Sequence, residues 1–251
     1  MTALPRFYVP DLSLEGGEAR LSADEARHLT RVMRLGAGDE IAVFDGRGHE
    51  FRARVVDAAR ESVRVDLLEA IIPAPEPHIP LTLVQAVLKG DKMDDVVRDA
   101  VMIGVTAIQP VVTARAEVNL EALERGRRRE RWARIAVSSA KQCGRAVVPP
   151  IAEPVTLEVL IRTLLDSWLT GPALMLVEPG ASKSAVTLRE LDVEPPKAAS
   201  IVIGPEGGWT SEEREAASVV CRLVTLGGRT IRADAMAAVA LAALFARWGE
   251  F

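Results

Sequence analysis

A proline-rich segment constrains the fold more than any other feature of the sequence. Four prolines fall within residues 73–80. Proline fixes the backbone φ angle and lacks an amide hydrogen, so a run of this density continues neither a helix nor the interior of a sheet. We interpret residues 73–80 as an extended linker, and the chain as two domains, residues 1–72 and residues 81–251.

Residues 1–72 have the pattern of a small β-rich domain. A helix is predicted to begin at Ser22, because Ser22-x-x-Glu25 has the form of a capping box, to run through Met33 and to stop near Gly36. A hairpin turn is indicated at Asp45-Gly46-Arg47-Gly48. The strand-like runs are Ile41–Phe44, Glu50–Val56 and Ser62–Leu68.

After the linker, strand-like and helical patterns alternate, which is typical of an α/β domain with a buried parallel sheet. Apolar residues recur at helical spacing from Met93 to Ala100, and Gly104 suits the end of that helix. The stretch Ala233–Phe245 is apolar almost all round, so it predicts a helix buried in the core or against a second subunit. The predicted strands are Leu81–Val87, Ala107–Val112, Ala173–Val177, Ser200–Ile203 and Leu223–Leu226.

Two glycine-rich turns each follow a predicted strand. The first, Gly204-Pro205-Glu206-Gly207-Gly208, leads to a helix that Thr210-x-x-Glu213 would cap. A phosphate cradle and a plain strand–helix connection both fit its shape, but the phosphate-binding glycine motifs are absent and Glu206 would repel a phosphate. The second turn, Gly227-Gly228-Arg229, precedes Arg232 and Asp234, which on their own are more typical of a surface ion pair. Because ligands bind at the carboxyl ends of open α/β sheets, we expect the turns to form two walls of one pocket.

Composition and charge exclude several classes of protein. A net charge of −4 argues against a protein that coats nucleic acid indiscriminately, although residues 73–145 carry 12 Lys and Arg against 9 acidic residues. Within that region, residues 125–134 contain six arginines, which fit either a solvated helix face or a phosphate-binding strip. Two cysteines and three histidines, all widely spaced, predict reduced thiols and no metal site. No membrane-spanning run and no signal peptide are expected.

Further short motifs join the two glycine turns to make a recognisable set. As a set, in this order and over essentially the whole chain, they resemble the bacterial 16S ribosomal RNA (uracil-N3)-methyltransferase family, of the SPOUT (trefoil-knot) class. The motifs are Pro5-Arg6-Phe7-Tyr8-Val9, His28-Leu29-x-Arg31-Val32-Met33-Arg34, Phe44-Asp45-Gly46, Lys89-Gly90-Asp91-Lys92-Met93, Gly104-Val105, Gln142-Cys143-Gly144-Arg145, Ile203 to Gly208, and Leu226-Gly227-x-Arg229-x-Ile231-Arg232.

The resemblance implies a PUA-like β-barrel RNA-binding domain in residues 1–72 and a trefoil-knotted α/β methyltransferase domain in residues 81–251. It implies a cytoplasmic homodimer that acts in rRNA processing and binds the 16S rRNA of the 30S subunit. It further implies S-adenosyl-L-methionine as cofactor, read largely by backbone groups of the glycine turns, and methyl transfer to N3 of one uridine.

The resemblance also assigns roles to residues. Arg232 would stabilise negative charge on the base, and Asp234 would either accept the proton or orient Arg232. The cofactor would contact Leu176, Ile203, Gly204, Pro205, Glu206, Gly207, Gly208, Leu226, Gly227 and Ile231. The RNA would contact Arg6, Arg31, Arg34, Lys89, Lys92, Arg127, Arg128, Arg129, Gln142 and Arg145. Trp132, inside the arginine run, is predicted to anchor its helix in the core.

The chain departs from the family's pattern at two places. Where the family has Leu-Arg-Thr-Glu-Thr-Ala, this chain has Ile231-Arg232-Ala233-Asp234-Ala235-Met236, and Met102 replaces a glutamate before Gly104. Two other functions therefore stay open. One is a SPOUT enzyme that modifies tRNA or a ribose 2′-hydroxyl, and the other is a weakly catalytic RNA-binding ribosome-assembly factor.

Overall fold

The structure is a computed structural model that describes residues 4–13, 16–59, 62–166, 171–191 and 194–251. It divides the chain into two compact units, Met1–Glu76 with Val137–Val148, and Pro77–Ala136 with Pro149–Phe251. The first division falls inside the proline-rich segment. Residues 137–148, which the prediction placed in the domain 81–251, group with the first unit instead. The residues Met1-Thr2-Ala3, on which the prediction of no signal peptide depends, lie outside the described part of the chain.

The first unit is built on a five-stranded sheet with the strand order β1-β3-β4-β5-β2. All pairs are antiparallel except β1 with β3. The three predicted strands are confirmed, and β1 and β2, which were not predicted, complete the sheet around a core that includes Phe7, Leu29 and Val43. The strands are β1 Arg6–Tyr8, β2 Glu18–Leu21, β3 Glu40–Phe44, β4 Glu50–Ala59 and β5 Ser62–Ala70.

The predicted helix of the first unit is shorter and less regular than its sequence suggests. The Ser22 side chain caps α1 (Ala23–Arg27) by accepting a hydrogen bond from the Glu25 amide, but the Glu25 carboxylate binds Lys141. From His28 the chain continues as a π-helical turn to Val32. The prediction of an α-helix through Met33 was therefore wrong, because the Met33 amide bonds to the carbonyl five residues earlier, at 3.0 Å.

The predicted hairpin turn between β3 and β4 is confirmed. The Asp45 amide donates to the His49 carbonyl at 3.2 Å, and the Asp45 carboxylate accepts from the Arg47 and His49 amides at 2.7 and 3.1 Å. Gly46, with φ +77°, packs so closely on Tyr8 that a Cβ there would lie 2.8 Å from the ring. Glycine is therefore required for both backbone and packing reasons at this turn.

The second unit contains a seven-stranded, fully parallel sheet with the strand order β10-β12-β9-β11-β6-β7-β8. The five predicted strands are confirmed to within two residues at each end, whereas the two-residue edge strands β8 and β10 were not predicted. The strands are β6 Leu81–Ala86, β7 Ala107–Val112, β8 Val155–Thr156, β9 Ala173–Leu176, β10 Val186–Thr187, β11 Ala199–Ile203 and β12 Cys221–Thr225.

The remaining helices are α2 Lys92–Ile103, α3 Leu120–Arg125, α4 Arg128–Cys143, α5 Leu157–Asp166, α6 Ser211–Ala217 and α7 Ala233–Trp248, with a 3-10 turn at Leu188–Glu190. Gly104 ends α2 at φ +123°, as predicted. Trp132 of α4 is fully buried, which confirms it as the core anchor of that helix. No helix in the described ranges is both long and apolar enough to cross a membrane.

Helix α7 confirms the prediction of a buried terminal helix only in part. It packs against α2 and buries Ala237, Leu241 and Phe245. Val239, on the same helix, is 44% exposed. The apolar circumference is therefore covered on one side of the helix only, within the described residues.

Candidate active site

A pocket of about 320 Å³ lies at the carboxyl ends of three adjacent strands of the second unit. Strand β9 lies between β11 and β12, so the loops that follow these strands meet at one edge of the sheet. This is where ligands bind in open α/β sheets. The lining residues are Lys92, Leu176, Val177, Glu178, Pro179, Ile203, Gly204, Pro205, Glu206, Gly208, Trp209, Leu226, Arg229, Thr230, Ile231, Arg232, Ala233, Asp234 and Met236.

The first wall is the loop that follows β11, which is held by a tight turn and a buried ring. The Gly208 amide donates to the Pro205 carbonyl at 3.0 Å, and Gly208 has φ +67°. The Trp209 ring is 2% exposed, and its Nε1 donates to the Leu176 carbonyl at 2.8 Å. A Cβ on Gly204 would lie 3.0 Å from that ring. The predicted capping box at Thr210 and Glu213 is present in both directions. The glycines here serve close packing as well as backbone conformation.

Two glycines assigned to the cofactor do not line the pocket. The Gly207 carbonyl accepts a hydrogen bond from Arg115 at 2.6 Å, and a Cβ on Gly207 would lie 3.1 Å from the Arg115 side chain. Gly227, with φ +104°, has open space around its Cβ position. The remaining predicted cofactor residues all line the pocket.

Glu206 connects the first wall to Lys89 and Lys92, at the start of α2. Its carboxylate accepts from Lys92 Nζ at 2.8 Å and from the Lys89 amide at 3.2 Å. Burial would raise the pKa of Glu206, but the hydrogen bonds from Lys92 and Lys89 outweigh it and leave the pKa below its ordinary value. Lys92, which was predicted to contact RNA, therefore lies at the pocket and is bound by the Glu206 carboxylate.

The second wall carries the two residues predicted to be catalytic. Arg232 donates to the Asp234 carboxylate from Nε at 3.1 Å and from Nη2 at 2.6 Å. The Arg232 side chain is 76% exposed, and that of Asp234 is 24% exposed. Their hydrogen bonds raise the pKa of Arg232 and lower the pKa of Asp234. The pair thus presents a fixed, charged guanidinium at the pocket, beside a carboxylate that is a weak base.

The sequence prediction overlooked a third wall, formed by the end of β9 and the loop after it. Val177, Glu178 and Pro179 line the pocket there. The signal was available, since a Glu-Pro-Gly turn follows a predicted strand. Other lining residues that were not assigned are Trp209, Arg229, Thr230, Ala233 and Met236.

The RNA-contact candidates of the first unit divide into buried and exposed groups. Arg6 binds Glu50 at 2.8 and 2.9 Å and donates to the carbonyls of Ala140, Lys141 and Arg145. Arg145 is 4% exposed and pairs with Glu76. Because both guanidinium groups bind partners within the unit, we no longer propose Arg6 and Arg145 as RNA contacts. The exposed candidates of this unit are Arg31, Arg34 and Gln142.

Most of the arginine run is tied to its own unit by internal contacts. Arg128 donates to the Gly90 carbonyl at 2.9 Å, and Arg129 contacts the Ile151 carbonyl and Glu153. Arg131 pairs with Asp91 and Asp94. The Arg127 side chain is exposed and has no hydrogen bond or ion pair to any described residue. The run is therefore partly a structural element and partly a free cationic surface.

Cys143 and Cys221 are free thiols, and burial raises the pKa of Cys221 to about 11. Among the residues that the structure describes, no three His, Cys, Asp or Glu side chains are grouped to hold a metal ion.

Comparisons with known proteins agree with this geometry. Residues 75–245 match the RNA methyltransferase domain family, and residues 21–68 match the RNA methyltransferase PUA domain family. Ribosomal RNA small subunit methyltransferase E of Synechocystis is 32% identical over 223 residues, covering 88% of this chain and 71% of that protein. Its counterpart from Buchnera aphidicola is 26% identical over 250 residues, covering 99% and 95%.

Two solved structures are similar over the whole length. Ribosomal RNA small subunit methyltransferase E from Neisseria gonorrhoeae, bound to S-adenosyl methionine, has a TM-score of 0.86 and 30% identity, covering 98% of each chain. A Legionella pneumophila putative methyltransferase in complex with the same cofactor has a TM-score of 0.87 and 28% identity, again covering 98% of each chain. These likenesses confirm the predicted α/β SPOUT fold with an amino-terminal PUA domain, and the chain belongs to the RNA methyltransferase family typified by ribosomal RNA small subunit methyltransferase E.

Proposed function

We propose that this protein uses S-adenosylmethionine to methylate N3 of a specific uridine in 16S rRNA of the small ribosomal subunit. The observation that carries the proposal is the pocket itself. The two glycine-rich loops and the end of β9 with its following loop enclose the pocket, and the paired Arg232 and Asp234 line it. The Synechocystis, Buchnera and Neisseria relatives are ribosomal RNA small subunit methyltransferases, and the Neisseria protein binds S-adenosyl methionine.

The pocket residues fit the cofactor. Leu176, Ile203, Leu226 and Ile231 give apolar walls for a nucleoside, and a volume of about 320 Å³ lies within the range of small-molecule pockets. The strand ends and glycine turns bring backbone groups to the lining, where hydrogen bonds with an adenine can form. When bound, S-adenosylmethionine supplies an electrophilic methyl group on a sulfonium sulfur.

Arg232 provides the electrostatic part of the reaction. Uracil N3 becomes nucleophilic when its proton leaves, and the negative charge then spreads to the neighbouring carbonyl oxygens. A fixed guanidinium next to that charge stabilises the transition state more than the neutral base. Because both carboxylate oxygens of Asp234 accept hydrogen bonds from Arg232, at 3.1 and 2.6 Å, we assign Asp234 to holding Arg232 rather than to accepting the proton.

Exposed cations of both units supply RNA contacts. In the second unit Lys89, Arg127 and Arg129 are exposed, with Lys92 and Arg128 half-buried beside them, and in the first unit Arg31 and Arg34 are exposed, beside Gln142. Exposed ion pairs such as Lys89–Glu117 at 3.0 Å contribute little stability, so these side chains can exchange a carboxylate for a phosphate at small cost.

The enzyme is proposed to be a homodimer in the cytoplasm, where ribosomal subunits are assembled. The exposed residues Ala235, Val239 and Ala246 lie at helical spacing on α7 and form an uncovered apolar stripe, which supports a subunit contact. Light scattering should give the mass of a dimer. A monomer at every concentration tested would remove the dimer from the proposal.

The test of the activity is methyl transfer with identification of the product nucleoside. The protein is incubated with methyl-labelled S-adenosylmethionine and 30S subunits from cells that lack the modification, with tRNA in a parallel reaction. We expect 3-methyluridine in 16S rRNA. A 2′-O-methylated nucleoside or a labelled tRNA would indicate another SPOUT activity. Cofactor and subunit binding without transfer would indicate the assembly-factor alternative.

A further inference from the structure

The charged residues that line the pocket fall into two pairs and two single residues. Lys92 pairs with Glu206, and Arg232 pairs with Asp234. Glu178 and Arg229 also line the pocket. Within the described parts of the chain, neither of these two side chains forms a hydrogen bond or an ion pair, either with the other or with any other residue. Among the described residues, Glu178 is thus the pocket carboxylate that has no cationic partner.

Packing fixes the position of Glu178 within the pocket wall. It follows β9, the strand that lies between the strands carrying the two glycine-rich loops. Its side chain is half-buried. A Cβ on Gly208 would lie 2.1 Å from Glu178 Oε1, so the first glycine-rich loop packs directly on the carboxylate. The carboxylate therefore lies at the pocket, next to its first wall.

A ligand that fills the pocket removes the Glu178 carboxylate from water, and a cationic group on that ligand offsets the cost of this desolvation. We propose that Glu178 binds the positive charge of the cofactor, at its sulfonium or its amino group. This inference rests on the proposed function and assigns Glu178 a specificity role: it favours a charged ligand in a pocket whose other carboxylates are already paired.

The test is a comparison of two ligands in calorimetric titrations of the full-length protein. S-adenosylmethionine carries both positive charges, whereas S-adenosylhomocysteine keeps the amino group and lacks the sulfonium. Glu178→Gln keeps the shape of the side chain and removes its charge. We expect it to weaken S-adenosylmethionine binding about tenfold, as for the loss of one charge-assisted hydrogen bond. Glu178→Asp should recover part of that loss.

The two ligands identify which charge Glu178 binds. A loss confined to S-adenosylmethionine assigns Glu178 to the sulfonium, and an equal loss for both ligands assigns it to the amino group. Glu215→Gln, the same change at an exposed position of α6 outside the pocket, should leave both affinities unchanged.

Wild-type affinity of Glu178→Gln for both ligands would overturn the inference and leave the proposed function intact. Absence of S-adenosylmethionine binding by the wild-type protein would instead count against the proposed function itself. Circular dichroism of each variant checks that the fold is retained.

Discussion

The two glycine-rich loops of the pocket look alike in sequence and differ in structure. The loop after β11 is fixed by its own packing: the Trp209 ring is buried beneath it, Glu206 binds Lys92, and Gly208 lies on Glu178. The loop after β12 is open, with free space around Gly227 and with Arg229 and Arg232 exposed. We conclude that the first loop shapes a binding wall, whereas the second presents charges to a substrate that arrives from solvent.

The largest effect is expected from removing the main charge of the open loop. Arg232→Ala should slow single-turnover methyl transfer to 30S subunits by about 100-fold or more, the typical loss for one transition-state donor. The matched control is Arg98→Ala on α2, which removes an exposed arginine outside the pocket that is likewise paired with carboxylates, those of Asp95 and Asp99. If both variants slowed methyl transfer equally, the proposed difference in function between the two loops would be contradicted.

The next prediction compares Gly208 of the first loop with Gly227 of the second, both of which have positive φ. Gly208→Ala should weaken S-adenosylmethionine binding about tenfold, because the new methyl group displaces the Glu178 carboxylate, the flexible end of that side chain, from its place at the pocket. Gly227→Ala meets no neighbour, and therefore carries only the backbone strain, about 1–2 kcal/mol. Calorimetry should show the large loss for Gly208→Ala alone, while thermal unfolding shows destabilisation of both. Equal affinities would mean that packing on Glu178 does not shape the binding wall.

A smaller effect tests how the open loop holds its arginine. Asp234→Asn should lower the rate of methyl transfer about tenfold, as for a lost charge-assisted contact. The rate should fall by the same factor at every pH from about pH 6 to about pH 9. The factor does not vary with pH because the hydrogen bonds from Arg232 lower the pKa of Asp234. The carboxylate therefore stays ionised above its ordinary pKa and does not titrate in this range. A variant whose profile becomes first order in hydroxide would instead identify Asp234 as the proton acceptor.

The smallest effect concerns the departure from the family at Ala233 and Ala235. Ala233 lines the pocket, whereas Ala235 is exposed on the same helix. Ala233→Thr restores a hydroxyl at the pocket and should change the affinity for S-adenosylmethionine by about threefold, roughly the net value of one hydrogen bond. Ala235→Thr, the matched control, should have no effect on affinity. Identical affinities for both variants would mean that the departure at Ala233 has no consequence for the cofactor.

The difference between the loops also marks the limit of sequence prediction. Strand ends and glycine turns are local signals, so β11, β12 and both loops could be predicted. The strand order is not a local property, and it alone places Glu178 between the two walls. The internal role of Arg6 depends on carbonyls more than 130 positions away. The π-helical turn at His28–Val32 reflects a backbone bond that helix periodicity does not reveal.

The most direct test of the division between the loops is the dissociation constant of Arg232→Ala for S-adenosylmethionine, measured by calorimetry. We predict a value within about twofold of wild type, because this exposed side chain acts on the base, whereas the loop after β11 and the apolar pocket walls bind the cofactor. A dissociation constant raised about tenfold or more, in step with the loss of rate, would contradict it and place Arg232 on the cofactor.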